Sequence, residues 1–512
     1  MSRSLLALLA LTLLLAAVLD AESATLVNNI VIPGDAIDLA PGPNSANKNR
    51  LGGFGSDLYY DRISNTYFGI PDRGPGGGLL SYDTRVQEFT LNVDPTTGAI
   101  GGFTLKRTII FKDTDGTPFN GLNPQLLNGN KAVLGRSFDP EGFVVGKQGT
   151  FFVSDEYVPS VYEFDRNGKF LRAFQTPSNL VPREAPPANT LNFVDGRPTI
   201  TTGRQDNRGF EGLARSPDGK KLYAIMQDPL VNEGNNPNPM TGGPDGRFSR
   251  NLRIVEFDVA TGQPGRQFIY QLESLNDINS RVPGNTFGAN NQGRSIGVSA
   301  IVAISDTKFL VIERDNRGLG VDALVAGAFP PVASKRAYVI DITGATDVQS
   351  ISLANTNGLI GIDINTNQQV TITPVMKSLQ PDIDVQAALQ AAGITVPEKL
   401  EGLTIGPELA DGSHLILFGT DNDFSVTQLT GANVTQNDVC TNGLQIPLDA
   451  NGVPTGACPP GSSLVPSFLF AFRDTSNLLA DFVQPERVPA PGSLVLLLTA
   501  GGLLLAARRA RD

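Results

Sequence analysis

The sequence predicts an all-β fold, a β-propeller of about six four-stranded blades, with five or seven blades as alternatives. The main observation is a hairpin pattern that returns along the chain, because repetition of one all-β unit is typical of propellers. Composition supports it, since 55 glycines and 36 prolines among 512 residues suit many short strands joined by turns. Helical patterns are scarce, and the one clear helix candidate lies at 382–392.

The clearest hairpin stands near the middle of the chain. Residues 210–214 form an apolar strand that begins with a carboxylate, Glu211. Ser-Pro-Asp-Gly at 216–219 forms a tight turn, because Pro presets φ and Gly accepts a positive φ. Residues 222–226 return as a second apolar strand that ends at Gln227. The pattern therefore predicts polar or acidic groups where the first strand starts and the second strand ends.

Four further copies share this order of strand, turn, strand and terminal acid. The second and fourth of them match closely, and the first and third are weaker. In chain order they lie at 55–73, 139–156, 297–315 and 400–423.

The remaining strands are expected around these hairpins. Residues 26–33 alternate weakly and are expected to complete the blade formed by the other end of the chain. Residues 87–93 and 103–110 complete the first blade, and equivalent pairs follow the next two hairpins. A sixth unit is expected in 175–205 or 355–380, where short alternating runs occur.

Charge and rare residues exclude several classes of protein. A net charge of −11 without basic runs argues against nucleic-acid binding. The single histidine, His414, excludes sites that need two histidines, and two cysteines exclude a cysteine-rich zinc site. In an exported chain, Cys440 and Cys458 are expected to form a disulfide, with two free thiols as the alternative.

The N-terminal residues 1–24 predict a signal peptide. Arg3 supplies the positive charge, residues 5–19 are an apolar run, and Ala-Glu-Ser at 21–23 fits a cleavage site. A membrane anchor is the alternative, but the run is short and polar residues follow at once.

The C-terminal residues 485–512 form a second targeting pattern. A Pro-Ala-Pro-Gly motif at 489–492 precedes an apolar run at 494–507 and an arginine-rich end. This tail resembles the PEP-CTERM sorting signal, although Ala490 stands where that motif usually has Glu. The resemblance implies transient membrane insertion, an exosortase-type processing enzyme, and the surface or matrix of a Gram-negative bacterium. A plain C-terminal anchor is the alternative.

The hairpins carry a second resemblance, which covers about 28–475. The motifs are Asp-Pro-Glu-Gly at 139–142, Asn-Arg-Gly-Phe-Glu-Gly-Leu at 207–213, Leu-Val-Ile-Glu-Arg at 310–314, and Glu-Gly-Leu at 401–403 with Asp-Asn-Asp-Phe at 421–424. They resemble the phytase-like domain family, also called "esterase-like activity of phytase", and this domain is expected at 25–484. The sequence departs from the family at Gln227, where Glu is usual.

Rotational pseudo-symmetry predicts that equivalent hairpin acids converge around one channel. Converging carboxylates repel unless they are protonated or bind cations, and hard oxygen ligands favour Ca²⁺, with another divalent cation as the alternative. Structural pairing with neighbouring arginines is the competing explanation. The candidate metal ligands are Asp72, Asp139, Glu141, Glu156, Glu211, Glu313, Glu401 and Asp421.

These parts, with the resemblance, suggest a cation-dependent phosphoric ester hydrolase acting on a small-molecule phosphate ester. Its candidate catalytic residues are Glu141, Glu211 and Glu401, and its candidate phosphate-binding residues are Arg73, Arg208 and Arg314.

Two other functions fit the sequence. A serine esterase would use the Gly-x-Ser-x-Gly motif at 293–297, but that motif lacks the preceding strand and following helix that a nucleophile elbow needs. A non-catalytic extracellular platform for polysaccharide or a protein partner fits equally well, because a fold alone does not give function.

Removal of both terminal segments is the first testable expectation. Because each apolar run belongs to a processing signal, mass spectrometry of protein from the native host should detect neither 5–19 nor 494–507. A mature chain that retains both runs contradicts this expectation.

Overall fold

The computed structural model describes residues 24–194, 200–234, 245–354, 358–431 and 433–488. Residues 1–23 and 489–512, which contain nearly all of the predicted signal peptide and most of the predicted sorting tail, lie outside the described residues. Within the described ranges, no helix combines the length and the apolar character needed to cross a bilayer.

The fold is all-β, as predicted, and its main elements are antiparallel sheets. Strand β1 (Ala24–Ile32) begins the described chain and belongs to the last sheet. Sheet 1 is β2 (Asp57–Asp61), β3 (Thr66–Ile70), β4 (Arg85–Val93) and β5 (Ile100–Ile110). Sheet 2 is β6 (Pro140–Val145), β7 (Phe151–Asp155), β8 (Ser160–Phe164) and β9 (Phe170–Ala173). After the short pair β10 (Arg183–Glu184) and β11 (Ile200–Thr202), sheet 3 is β12 (Phe210–Arg215), β13 (Lys221–Met226), β14 (Asn251–Asp258) and β15 (Pro264–Gln271).

The second half of the chain repeats this arrangement. Sheet 4 is β16 (Ile296–Ala303), β17 (Lys308–Asp315) and β18 (Lys335–Asp341), with a small sheet of β19 (Ile351–Ser352), β20 (Ile360–Asp363) and β21 (Gln369–Thr371) after it. The short strands β22 (Met376–Lys377) and β23 (Ile383–Asp384) both pair with β18. Sheet 5 is β24 (Lys399–Glu408), β25 (His414–Asp421) and β28 (Ser467–Asp474), interrupted in sequence by the pair β26 (Asn437–Val439) and β27 (Gln445–Pro447).

In the described part of the chain, four short α-helices lie between the strands. They are α1 (Pro124–Asn128), α2 (Leu275–Ser280), α3 (Val321–Ala326) and α4 (Val385–Ala391). Helix α4 confirms the candidate at 382–392, and the side chain of Asp384 caps it by accepting from Ala387 N at 3.0 Å.

Two long-range expectations are confirmed. Strand β1 pairs antiparallel with β28, so the N-terminal strand completes the sheet that the C-terminal segment builds. Cys440 and Cys458 form a disulfide with a Cα–Cα distance of 5.8 Å. The expected sixth four-stranded unit is not found among the described strands. Residues 175–205 contribute only β10 and β11, and 355–380 contribute β20 and β21 of the small sheet and β22, which pairs with β18.

The first strands of the five sheets contact one another in cyclic order: β2, β6, β12, β16, β24 and β2 again. Glycines make this approach close. A Cβ atom added at Gly142 would lie 2.5 Å from Leu213 N, and one at Gly212 would lie 2.8 Å from Ile301 N. No side chain fits at such distances, so glycine is required where neighbouring first strands meet.

A β-bulge precedes this close contact in each of four first strands. In β12 the pairing register shifts between Phe210 and Gly212, so Glu211 is the extra residue of the bulge. The extra residue is Ser299 in β16 and Glu401 in β24. In β6 the shift includes Glu141. Because a bulge re-aims the side chain of the extra residue, one repeated irregularity turns these side chains out of the sheet ladder.

Adding one methyl group at the ring should destabilise the fold. Gly212→Ala should lower the free energy of unfolding by about 1–3 kcal/mol, because its Cβ meets the backbone of Ile301 and Ala300. Gly101→Ala is the matched control, since its Cβ would meet nothing within 4 Å. Urea denaturation of both variants checks this prediction. Equal free energies of unfolding for the two variants would contradict it, because they would show that a Cβ atom fits where the first strands meet.

Candidate functional site

Seven buried carboxylates lie side by side where the hairpins of four sheets converge. We call them the acidic strip: Asp72, Asp139, Glu141, Glu156, Glu211, Asp421 and Asp423. They form three overlapping triplets, in each of which the carboxylate oxygens lie within 4.8 Å of one another. The triplets are Asp72–Asp421–Asp423, Asp72–Asp139–Glu141 and Glu141–Glu156–Glu211.

Strand position explains this convergence. Glu141 and Glu211 stand at the start of the first strand of their sheets, β6 and β12. Glu156 follows directly after a second strand, β7, and Asp421 ends another, β25. The starts of first strands and the ends of second strands lie at the same edge of an antiparallel hairpin. Because the first strands meet in a ring, these edges meet too.

Asp423 reaches the strip through a left-handed turn. Asp423, Phe424 and Ser425 have φ values of 49°, 55° and 58°, which cost non-glycine residues about 1–2 kcal/mol each. The turn is held by Arg50, whose NH1 donates to Phe424 O at 3.0 Å, and by Ser425, whose Oγ donates to Val439 O at 2.6 Å. The sequence prediction did not include Asp423, although the Asp-Asn-Asp-Phe motif contains it.

Burial raises the pKa of Glu141 well above its usual range, and the neighbouring carboxylate of Glu211 raises it further. Burial likewise raises the pKa of Glu211, with Glu156 and Glu401 adding to the effect. The pKa of Asp72 is raised by burial and then by Asp421. Such groups carry full negative charge only when cations compensate for the lost water.

A lysine already occupies one end of the strip. The ammonium of Lys399 lies 2.8 Å from Asp421 Oδ2 and 2.6 Å from Asp423 Oδ1. This cation serves the Asp72–Asp421–Asp423 triplet, and it holds the pKa of Asp423 at about 7 against the stronger effect of burial.

The two triplets that share Glu141 each have an arginine at the edge. Arg73 NH1 lies 3.6 Å from Asp139 Oδ2, and Arg208 NH1 lies 4.0 Å from Glu156 Oε1. Arg208 also contacts Asp228 at 2.9 Å through Nε. The arginines therefore flank the carboxylates around Glu141 from two sides.

The residues around Glu141 fit a hard divalent cation. Glu211 Oε1 accepts from Gln227 Nε2 at 2.5 Å, while its buried Oε2 has no hydrogen-bond partner among the described residues. A buried carboxylate oxygen without a donor is costly, and a cation would satisfy it. The ligands in both triplets are all carboxylates, which suits Ca²⁺ better than softer metals.

Two predicted ligands are placed differently. Glu401 forms an ion pair with Arg314, whose Nε donates to Ser299 Oγ at 2.7 Å, so it lies next to the strip with a cation of its own. Glu313 accepts from the hydroxyl of Tyr270 at 2.5 Å and pairs with Lys377. Glu313 therefore belongs to no carboxylate triplet among the described residues.

A small cavity of about 20 Å³ lies at the edge of the strip between sheets 3 and 4. Two of the predicted phosphate-binding residues, Arg208 and Arg314, line it, while Arg73 lines another cavity. Arg294 lines it as well, and sequence reasoning missed this role because it read Arg294 only as part of Gly-x-Ser-x-Gly. The cavity has room for about one water-sized group beyond its arginines.

The serine esterase arrangement does not assemble. Ser295 lines the small cavity and accepts from Asn291 Nδ2 at 3.0 Å. His414 begins β25, whereas Asp421 at the acidic strip ends it, so about 23 Å of strand separate the histidine from this edge. The ring of His414 packs on Phe482, with centroids 5.1 Å apart.

Comparisons with known proteins identify the family to which this chain belongs. The family model described as "Phytase-like: Esterase-like activity of phytase" matches residues 49–424. The chain is 28% identical over 398 residues to an "Uncharacterized secreted protein" of Arthroderma benhamiae, covering 66% of this chain and 73% of the relative.

Two solved structures show weaker likeness. The hydrazine synthase of Kuenenia stuttgartiensis is 12% identical with a TM-score of 0.24, covering 80% of this chain and 68% of that one. A luciferin-regenerating enzyme is 11% identical with a TM-score of 0.27, covering 87% and 95%. Scores this low carry no argument about fold or function.

Calcium should stabilise the folded chain. At a concentration about 100 times its Kd, a cation that binds only the folded state adds about 2.7 kcal/mol of stability, and EDTA removes it. The melting temperature should therefore rise with Ca²⁺, and Glu141→Gln should reduce this rise because Glu141 belongs to two triplets.

The matched control for this measurement is Glu408→Gln, which changes an exposed glutamate at the other end of β24. A melting temperature that does not respond to millimolar Ca²⁺ in the unmodified protein would mean that lysine and arginines alone neutralise the acids.

Proposed function

This chain belongs to the phytase-like family, and from that premise we propose that it is an exported, divalent-cation-dependent phosphoesterase whose active site is the acidic strip. Ca²⁺ is the proposed cation. The secreted relative supports export, together with the signal-peptide pattern at 1–24.

The observation that carries the proposal is the position of Glu141. It belongs to two carboxylate triplets, and each of these triplets has an arginine on another member, Arg73 on Asp139 and Arg208 on Glu156. This combination suits phosphoryl transfer, because anionic oxygens of the ester can be held between a cation and guanidinium groups.

The proposed roles follow from the contacts. A divalent cation held by the triplets around Glu141 would supply Lewis-acid activation of a phosphate oxygen and of water. Arg73 and Arg208 bind phosphate oxygens, each from the side of one of these two triplets. The burial of the strip excludes bulk water, which strengthens each of these electrostatic contacts.

Glu401 and Arg314 complete the proposed site. Arg314 holds the carboxylate of Glu401 in an ion pair beside Glu211. We assign Glu401 and Glu211 to proton transfer. The oxygen of water bonds to phosphorus as the phosphorus–oxygen bond to the alcohol breaks. One carboxylate accepts a proton from this water, and the other, in its protonated form, donates a proton to the departing alcohol oxygen. No histidine or cysteine takes part.

We also infer the architecture that presents this site. The cyclic contacts among β2, β6, β12, β16 and β24 support five blades, with β1 closing the ring through β28. The acidic strip then lies at one mouth of the central channel, where equivalent positions of different blades face one another.

A non-catalytic binding platform is the second candidate. It is favoured by Gln227, because a neutral amide donates to Glu211 where the family usually has a carboxylate. Such a platform would use the strip and its cation to hold an anionic or hydroxyl-rich ligand, such as an extracellular polysaccharide, without breaking a bond.

Amide substitutions separate the two candidates. Glu211→Gln and Glu401→Gln keep the side-chain shape but remove one negative charge each, so turnover of phosphate monoesters with Ca²⁺ should fall by at least about 100-fold. Phosphate release by the purified protein measures this effect, and circular dichroism checks that the fold is intact.

Ser295→Ala is the control and should leave turnover unchanged. If only this substitution removes activity, a serine esterase replaces the proposed mechanism. If the unmodified protein hydrolyses no phosphate ester with any divalent cation, the binding platform replaces the phosphoesterase.

A further inference from the structure

A cavity of about 460 Å³ opens beside the acidic strip, on the side of sheets 1 and 2. Its size lies within the usual range for small-molecule sites. The larger side chains that line it include Arg73, Leu79, Asn123, Leu126, Tyr157 and Leu429.

Arg73 connects the cavity to the strip. Its backbone N–H donates to Asp139 Oδ1 at 2.9 Å, and its guanidinium lies 3.6 Å from Asp139 Oδ2. The same guanidinium lies 5.9 Å from the centre of the Tyr157 ring, which also lines the cavity. Arg73 therefore lies between the Asp72–Asp139–Glu141 triplet and the cavity, and a ligand in the cavity that pairs with Arg73 lies at the edge of that triplet.

The Tyr157 ring is a fixed wall. Its hydroxyl donates to Gly121 O at 2.6 Å, and the residue is 1% exposed. Gly78 allows this position, because a Cβ there would lie 2.6 Å from the Tyr157 hydroxyl. Because this ring is almost fully covered, the apolar surface that the cavity offers comes mainly from its leucine side chains. An apolar group gains about 25 cal/mol for each Å² of apolar surface that it buries there.

The charge of the lining disfavours a ligand with many phosphates. Among the described residues that line the cavity, Arg73 is the only charged one. One phosphate can pair with it and with a cation at the strip, but further phosphates would lie against Leu79, Leu126 and Leu429 without a partner. Unpaired anions in such surroundings are costly.

We propose that this cavity binds the apolar alcohol part of a phosphate monoester, while the phosphate lies on Arg73 at the edge of the acidic strip. The inference rests on the proposed function for its phosphate end. The substrate class is monophosphates of apolar alcohols, in preference to polyphosphorylated rings such as inositol hexakisphosphate.

Binding of phosphonates tests the cavity without requiring turnover. In titration calorimetry with Ca²⁺ present, 1-naphthylmethylphosphonate should bind the full mature protein at least about tenfold more tightly than methylphosphonate, because only the former has an apolar group to bury. The double variant Leu126→Asn/Leu429→Asn should remove this difference and leave methylphosphonate binding unchanged. Both leucines are partly exposed, at 39% and 37%, so the variant is expected to fold.

The matched control is Leu171→Asn, an exposed leucine on β9 that does not line the cavity, and it should keep the tenfold difference. Equal binding of the two phosphonates, no effect of the double variant, or tighter binding of inositol hexakisphosphate than of the naphthyl compound would each overturn the inference.

Turnover of 1-naphthyl phosphate separates this inference from the proposed function. Tight, leucine-dependent binding without hydrolysis of any ester supports the cavity and contradicts the phosphoesterase. Hydrolysis without leucine-dependent binding supports the phosphoesterase and contradicts the cavity.

Discussion

The close approach of the first strands is the constraint on which the rest of the structure depends. At Gly142 and Gly212 the neighbouring backbone lies where a side chain would stand, so these positions have no alternative to glycine. The glutamate directly before each glycine falls in a β-bulge and turns away from the ladder. Each Glu-Gly pair thus has two structural effects: the glycine lets the strands pack, and the glutamate joins the acidic strip. The packing of the strands and the clustering of the carboxylates therefore depend on neighbouring positions of one strand.

Electrostatics distinguishes the parts of the strip that have a cationic side chain of their own from the part that does not. Sheet 5 provides Lys399, which neutralises Asp421 and Asp423 from within the chain. Sheet 4 provides Arg314 and Ser299 at the position where other sheets have carboxylates, and Arg314 is paired with Glu401. The triplets around Glu141 lie between these two built-in cations and are flanked by Arg73 and Arg208 rather than filled by them. One repeated hairpin has therefore diverged into neutralised ends and a central acidic region.

The sequence predicted the parts of the fold that depend on local chemistry. The turn at 216–219, the five hairpins, helix α4 and the pairing of β1 with β28 follow from turn residues, alternation and terminal closure. The convergence of Glu141 and Glu211 followed from pseudo-symmetry. Asp423 could not be placed in this way, because three consecutive left-handed residues lie outside any strand or turn pattern. Its position depends on Arg50 and on the insertion between β25 and β28.

Glu313 shows how a shift of one residue along a strand decides whether a side chain faces the acidic strip or packs within the sheet. Glu313 and Arg314 are neighbours in β17, so their side chains point to opposite faces of the sheet. Aligning the repeats by their acids selects Glu313, but the bulge at Ser299 shows that Arg314 is the residue on the side of the strip. Glu313 instead joins Tyr270 and Lys377 within the sheet packing. Since an arginine stands where the repeat suggests a carboxylate, the strip is broken at sheet 4, and the positive edge this creates faces Glu211 and Glu401.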